Sequence, residues 1–318
     1  MSNPNQTPPP RLVYCGTPRF AVPPLEKLVT AGFPIELVVT QPDRPRGRGL
    51  ELTASQVKQT AVALGLPIAQ PDRIKHNDEF RAQLTALKPD AIIVVGYGRI
   101  IPPWMLDLPR LGNINLHASL LPKYRGAAPI QWAIANGETV TGVTTMRIDA
   151  GLDTGDILLQ QELAISADET AETLAPKLSA IGAGLMVTTL RGLQADSIDP
   201  RPQDNLAATL APILKKEDGL IDWSQPAWRI LNRLRGFQPW PGAYTKFRGK
   251  TLQVLRAAIA DSQAIAPGTV VSAGGRLMAG CGSNTALELI DIQLEGKKRA
   301  TASDFLHGYH LQPDEKLG

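Results

Sequence analysis

Cysteine is scarce in this chain. Only Cys15 and Cys281 occur among 318 residues, far apart and in no CxxC pair. Two such residues cannot build a disulfide framework or a cysteine-based metal site, and the pattern suits a reducing cytosol. Long apolar runs are missing too. Residues 91–95 are among the longest, strand-length and well short of the ~18–20 residues that span a bilayer. The opening MSNPNQTPPP has neither the basic start nor the apolar stretch of a signal peptide, and its proline and polar content predicts a short disordered tail over residues 1–10. The chain is therefore expected in the cytoplasm. No G-x-G-x-x-G follows the first apolar run, where Gly16-Thr17-Pro18-Arg19-Phe20 stands instead, and no Walker A sequence occurs. A nicotinamide-dependent dehydrogenase is disfavoured on that ground.

What remains is the composition of a globular protein. Hydrophobic residues make up 43% of the chain and charged residues 20%, enough apolar side chains to bury a sizeable core. A length of 318 residues predicts two domains. The net charge of +3 conceals an asymmetry: residues 210–318 carry 14 Lys and Arg against 10 Asp and Glu, so the positive excess sits in the C-terminal third. An acidic partner is expected to bind there.

Apolar runs alternate with helical patterns along the first part of the chain. Strands are predicted at 12–15, 35–40, 67–69 and 91–95, the last with the near-continuous apolar character of a strand covered on both faces. Helices are predicted from Pro23 and Pro24 onward, at 55–64 and near 78–87. The alternation predicts an α/β domain, a Rossmann-like, mostly parallel sheet flanked by helices. Such sheets place ligands at the carboxyl ends of their strands, which directs attention to the segments after Val95 and Leu116. The stretch Arg44-Pro45-Arg46-Gly47-Arg48-Gly49 reads as an exposed basic loop and not as a regular element. Residues 194–209 are polar and proline-containing, as in an interdomain linker. Beyond them, strand-like runs at 252–256, 268–271, 275–279 and 286–292, preceded by a helix around 227–234, predict a small OB-like β-barrel. The expected organisation is a tail over 1–10, a catalytic domain over 11–193, a linker over 194–209 and a β domain over 210–318.

Leu111-Gly112-Asn113-Ile114-Asn115-Leu116-His117 alternates with period two. As a strand it sends Asn113, Asn115 and His117 to one face and Ile114 and Leu116 to the other. A loop from Ala118 to Gly126 follows at once. Thirty-six residues after the histidine comes Asp153, in the glycine-rich loop Asp149-Ala150-Gly151-Leu152-Asp153-Thr154-Gly155-Asp156. Spacing alone leaves two readings open. A histidine beside an asparagine is more often a satisfied structural residue than a catalyst, and an Asp/Gly loop is more often a turn.

The stretch NINLHASLLPKYRGAAPIQWAI, followed by TGVTTMRIDAGLDTGDIL, resembles the 10-formyltetrahydrofolate-dependent formyltransferase family. GTPRFAVPPLEKL, QPDRPRGRG, VVGYGRIIP, KEDGLIDW and QPWPGAY fall in that family's order, so the resemblance covers nearly the whole chain. It implies transfer of a formyl group from 10-formyltetrahydrofolate to a primary amine. In that chemistry the amine attacks the formyl carbon, negative charge develops on oxygen, and the amine loses a proton. The resemblance implies that Asn115 offers its side-chain NH₂ to the oxyanion. It implies that His117 either assists the oxyanion or relays the proton, and that Asp153 hydrogen-bonds and orients His117. No metal is implied, because the N10-formyl group is already activated, and no covalent enzyme intermediate. Ser119, Leu120, Leu121 and Pro122 resemble the family's folate-contacting loop, and the turn with Tyr97 and Gly98 is expected to line the same cleft.

Members of the family share this core and differ in the amine they formylate: glycinamide ribonucleotide, a nucleotide amino-sugar or an aminoacyl-tRNA. Two features imply initiator methionyl-tRNA. In tRNA-dependent members the 41–49 loop meets the acceptor stem, which assigns Arg44, Arg46 and Arg48 to tRNA, with Arg48 at the family's critical arginine. Between Arg229 and Arg256 there are also seven Lys and Arg and no acid, interleaved with Phe237, Trp240, Tyr244 and Phe247. Basic residues beside aromatics suit an RNA backbone, although the aromatics also suit a barrel core. Lys215, Lys216, Arg233 and Arg235 are the contacts expected from this part of the chain. A lysine usual in the family's linker is Ile213 here, a departure for which Lys215 and Lys216 would have to compensate. The alternative acceptor is an amino-sugar nucleotide, since enzymes for that substrate carry a similar appended domain. The resemblance also implies a monomer. A catalytically inert folate- or RNA-binding module is harder to support with all three catalytic positions present.

Overall fold

The computed structural model describes residues 8–46, 51–261 and 265–318. Of the tail expected over 1–10, residues 1–7 lie outside that description. The chain divides into two compact units. The first is made of Met1–Pro129, Thr141–Ala164 and Ala175–Ala211, the second of Ile130–Val140, Ile165–Leu174 and Pro212–Gly318.

In chain order the first strands are β1 (Leu12–Gly16), β2 (Ile35–Val39), β3 (Arg44–Arg46), β4 (Glu51–Thr53), β5 (Ile68–Ala69), β6 (Ala91–Val95), β7 (Asn113–His117), β8 (Val140–Arg147) and β9 (Ile157–Ala164). The helices among and after them are α1 (Val22–Thr30), α2 (Gln56–Ala63), α3 (Asp78–Leu87), α4 (Pro103–Leu106), α5 (Pro129–Ala135) and α6 (Ala171–Gln194). Seven strands form one sheet in the order β5-β2-β1-β6-β7-β8-β9. From β5 to β7 all neighbours run parallel, and β8 pairs antiparallel with β7. β1 and β6 bury every residue, which is why LVYCG and AIIVV carry no polar alternation. Pro23 and Pro24 stand in the first turn of α1, where a missing N–H breaks no helical hydrogen bond. The Ser55 hydroxyl and the Asn77 amide oxygen cap α2 and α3, accepting from Lys58 N at 3.0 Å and Phe80 N at 2.9 Å.

α6 is long and apolar enough by length and composition to cross a bilayer, a property that a search for unbroken apolar runs passes over. More than half of its apolar window is buried. A Cβ at Gly182 would come within 2.7 Å of Leu116, so the glycine lets this helix approach β7 closely. The hydroxyls of Thr189 and Thr145 hydrogen-bond at 2.8 Å between α6 and β8.

The basic stretch is more ordered than its sequence suggests. Arg44–Arg46 form β3, paired antiparallel with β4 and with Pro45 opposite Leu52. A two-stranded ribbon is all edge, and an edge tolerates a residue without an N–H, so the proline does not exclude a strand. Arg48 lies outside the described residues, as does the side chain of Arg46.

The second unit contains β10 (Ala243–Phe247), β11 (Lys250–Ala260), β12 (Val270–Ala273), β13 (Arg276–Cys281), β14 (Thr285–Leu294) and β15 (Ala300–Thr301), with helices α7 (Ala227–Gly236) and α8 (Ala302–Gly308). The sheet is antiparallel in the order β10-β11-β14-β13-β12, so the second domain is β-rich as its sequence predicts. Trp223, Leu234, Phe247, Leu289, Ile292 and Phe305 share its core. The C-terminal segment connects the two end strands: Val270 N donates to Glu315 O at 2.8 Å, and Gly318 N donates to Lys246 O at 3.0 Å.

Candidate active site

β7 runs beside β6, and their carboxyl ends share one edge of the sheet. The period-two alternation makes Asn113, Asn115 and His117 neighbours on one face. Asn113 is buried and structural, its Nδ2 donating to the carbonyls of Met105 at 2.9 Å and Leu106 at 3.0 Å. Asn115, half-buried, has no hydrogen-bond partner for its carboxamide among the described residues. His117 is buried, with Nε2 2.8 Å from the carbonyl oxygen of Tyr124 and Nδ1 3.7 Å from Asp153 Oδ2. A carbonyl only accepts, so Nε2 carries a hydrogen. Nδ1, too far from the carboxylate for a hydrogen bond, is the nitrogen left for another group.

Asp153 holds a left-handed backbone at φ +53°, and its Oδ2 accepts from Gly126 N at 2.8 Å. Residues 124–126 thus supply one partner to each member of the pair. They are held from behind by a stretch that reads as linker. Tyr124 N donates to Thr209 Oγ1 at 2.9 Å, Arg125 N to Thr209 O at 2.8 Å, and Ala211 N to Arg125 O at 2.7 Å. Gly126 must be glycine here, because its φ is +122° and a Cβ would lie 2.6 Å from Ala211 O.

A sequence model of the family described as "Formyl transferase" matches residues 11–190, and one described as "Formyl transferase, C-terminal domain" matches 213–310. The chain belongs to the formyl transferase family. Among its relatives is the methionyl-tRNA formyltransferase of Koribacter versatilis, 63% identical over 307 residues, which cover 96% of this chain and 98% of the relative. The methionyl-tRNA formyltransferase of Acidobacterium capsulatum is 61% identical over 309 residues, 97% of this chain and 99% of the relative. Solved structures share the fold. The sugar 3N-formyl transferase WlaRD, determined in the presence of dTDP and 5-N-formyl-THF, superposes with a TM-score of 0.65 at 18% identity, covering 92% of this chain and 100% of that one. HypX from Aquifex aeolicus, in complex with tetrahydrofolic acid, gives a TM-score of 0.62 at 16% identity, covering 94% of this chain and 47% of that one.

For a formyl transferase, the residues expected to meet folate divide by exposure. Ser119 is buried and spends its hydroxyl on the Lys123 carbonyl at 2.6 Å, and Leu121 is buried with Met146 and Ile157. Leu120 and Pro122 are half-buried and keep apolar surface open. The Leu121 carbonyl accepts from Gln160 Nε2 at 2.9 Å, and Thr144 Oγ1 donates to the Ser119 carbonyl at 2.7 Å. The Tyr97 ring lies in the core with its hydroxyl unpartnered among the described residues, and burial pushes the phenol above its usual range. What the Tyr97–Gly98 turn offers is backbone, with Gly98 at φ +74° and Gln41 Nε2 donating to the Tyr97 carbonyl at 2.9 Å. Gln41 and Thr144 fall inside the quoted motifs without a role, and Gln160, Gln203 and Thr209 lie outside them, so sequence reasoning passes over all five.

The cations expected to meet tRNA are less alike than their sequence suggests. Arg44 is exposed at the base of the β3–β4 ribbon, 3.4 Å from Gln41 Oε1. Asp43 beside it is tied to Lys58 at 2.6 Å and Gln70 at 2.8 Å, which hold its carboxyl below the usual value. Lys215 and Lys216 are exposed, and Ile213, in the usual lysine's place, is 70% exposed. Arg233 lies over the rings of Phe237 and Trp132 and donates to the Asp218 carbonyl at 2.8 Å. Arg235 donates to the Glu169 carbonyl at 2.8 Å and to Asn232 Oδ1 at 2.7 Å. Both are half-buried, and burial pulls both guanidinium groups below the usual arginine value.

Proposed function

We propose that this chain transfers the formyl group of 10-formyltetrahydrofolate to the amino group of initiator methionyl-tRNA, acting as a cytoplasmic monomer. The observation that carries the chemistry is the Asn115 carboxamide, unpartnered among the described residues, beside His117, whose Nδ1 faces Asp153 at 3.7 Å. The acceptor rests on full-length relatives at 61–63% identity that are methionyl-tRNA formyltransferases. The chain's residues fit the folate co-substrate: a free amide donor for the formyl oxygen, and open apolar surface at Leu120 and Pro122 for the ring system. When bound, 10-formyltetrahydrofolate supplies an activated formyl carbon.

Asn115 Nδ2 donates to the oxygen on which negative charge develops, and such a donor contributes about 10²–10³ in rate. His117 Nδ1 takes the proton of the attacking amine, since Nε2–H is committed to Tyr124 O. The Asp153 carboxylate balances the imidazolium that results, and His117 would return this proton to N10 as the bond between N10 and the formyl carbon breaks and tetrahydrofolate leaves. Arg44, Arg46, Arg48, Lys215 and Lys216 contact the tRNA backbone, whereas Arg233 and Arg235 are partly taken up by carbonyls of their own unit. The test is formyl transfer from 10-formyltetrahydrofolate to methionyl-initiator tRNA, with methionyl-elongator tRNA, free methionine and a nucleotide amino-sugar as competitors, at two salt concentrations. Initiator-selective transfer that weakens with salt is the expected result. Transfer to the amino-sugar alone would overturn the acceptor and keep the chemistry.

A further inference from the structure

Gln203 lies in a polar stretch whose composition reads as linker, yet its side chain commits both its donor and its acceptor to the active-site loops. Nε2 donates to the carbonyls of Asp153 at 2.9 Å and Gly155 at 2.7 Å. Oε1 accepts from Arg125 Nε at 3.0 Å and Nη2 at 2.8 Å. The amide orientation is dictated, because two carbonyls require a donor and a guanidinium requires an acceptor. Arg125 is buried and reaches on to Asn205 Oδ1 at 2.9 Å.

These bonds converge on the catalytic pair from two sides. On one side Arg125 stands between Tyr124, whose carbonyl accepts from His117, and Gly126, whose N–H donates to Asp153. On the other, Gln203 grips the main chain of Asp153 itself, where φ is +53°. A non-glycine residue keeps that conformation only where its surroundings over-determine it. We infer that Gln203 is a positioning residue for formyl transfer, setting the spacing of Asp153 and His117 through the backbone at 153–155 and through Arg125. The inference rests on the proposed reaction.

The test compares Gln203→Ala and Gln203→Glu in the full chain. Glutamate keeps an acceptor for Arg125 but loses both donors and turns a carboxylate toward two carbonyl oxygens. Both variants are expected to lose about 10–10²-fold in kcat, the scale of a ~1 Å misplacement. KM for either substrate should stay within about threefold, because no substrate contact is removed. In an Asp153→Ala background, Gln203→Ala should cost less than in the wild-type chain, since of its two routes only the one through Arg125 to His117 is left. A loss that multiplies in that background, or wild-type kcat in Gln203→Glu, overturns the inference. Amide hydrogen exchange at Gly126 reads the same device without turnover: it should quicken in Gln203→Ala, and unchanged protection also overturns the inference. If the wild-type chain formylates no tRNA, the acceptor assignment fails while the exchange result still decides the role of Gln203.

Discussion

Gly126 and Gly184 accept the same substitution with opposite consequences. An alanine Cβ at Gly126 would meet Ala211 O at 2.6 Å and Ala211 C at 3.2 Å, at a backbone φ of +122°. The obstacle is main chain, so no rotamer change relieves it. Backbone strain costs about 1–3 kcal/mol, and forced packing adds about 1–3 kcal/mol. The sum of about 2–6 kcal/mol is a large share of the ~5–15 kcal/mol that keeps a typical protein folded. Relief comes by moving 124–126 away from 209–211, which stretches the bonds of Arg125 to Thr209 and Ala211 and shifts the partners of His117 and Asp153. Activity should therefore fall by about tenfold or more along with stability. At Gly184, inside α6, an added Cβ meets no described atom within 4 Å beyond its chain neighbours and the helix's own backbone. Alanine there removes glycine's helix penalty and should stabilise by about 0.8–1 kcal/mol with kcat unchanged. Urea unfolding midpoints at constant m, with kcat measured on the same preparations, test both. A Gly126→Ala chain as stable and as active as wild type would refute the close packing of 124–126 on Ala211.

Asn115→Ala should lower kcat by about 10²–10³ with unchanged circular dichroism, and near-wild-type turnover would remove Asn115 from the mechanism. Asp291 lies between Arg299 at 2.8 Å and Arg256 at 2.7 Å, and the hydrogen bond from Arg299, followed by the positive charge of both arginines, holds its carboxyl below the ordinary 3.8. A depressed folded-state value stabilises above the unfolded value and is lost as pH falls through the folded one. Asp291→Asn should therefore lower the urea midpoint at pH 7, with the gap to wild type closing below pH 3.8. A gap that persists into strong acid contradicts the pairing. Lys215→Ala and Lys216→Ala should each weaken tRNA binding and make the log-log salt slope shallower by about one. Slopes that stay the same exclude those lysines from the interface.

Short-range pattern alone determined a good deal of this protein. AIIVV reads as a strand covered on both faces because an unbroken apolar run has no side fit for water, and β6 is buried throughout. NINLH needs only the two-residue period of a strand to bring Asn115 and His117 to one face. The ribbon at Arg44–Arg46 escaped that logic, since proline and glycine mark turns in most contexts but do not forbid an edge. Only the tertiary structure decided the partners. Gln203 and Asp153 stand 50 positions apart, and a side-chain amide bonded to two remote carbonyls leaves no periodic trace in sequence. Nor does any local signal show that 130–140 and 165–174 pack with the second unit. Arg233 and Arg235 look, in sequence, like cations open to RNA, yet both are half-buried and part of each guanidinium is held by carbonyls or rings. Charge is written in a residue's identity, but its availability depends on which acceptors the fold brings within about 3 Å, and that is a property of the whole chain.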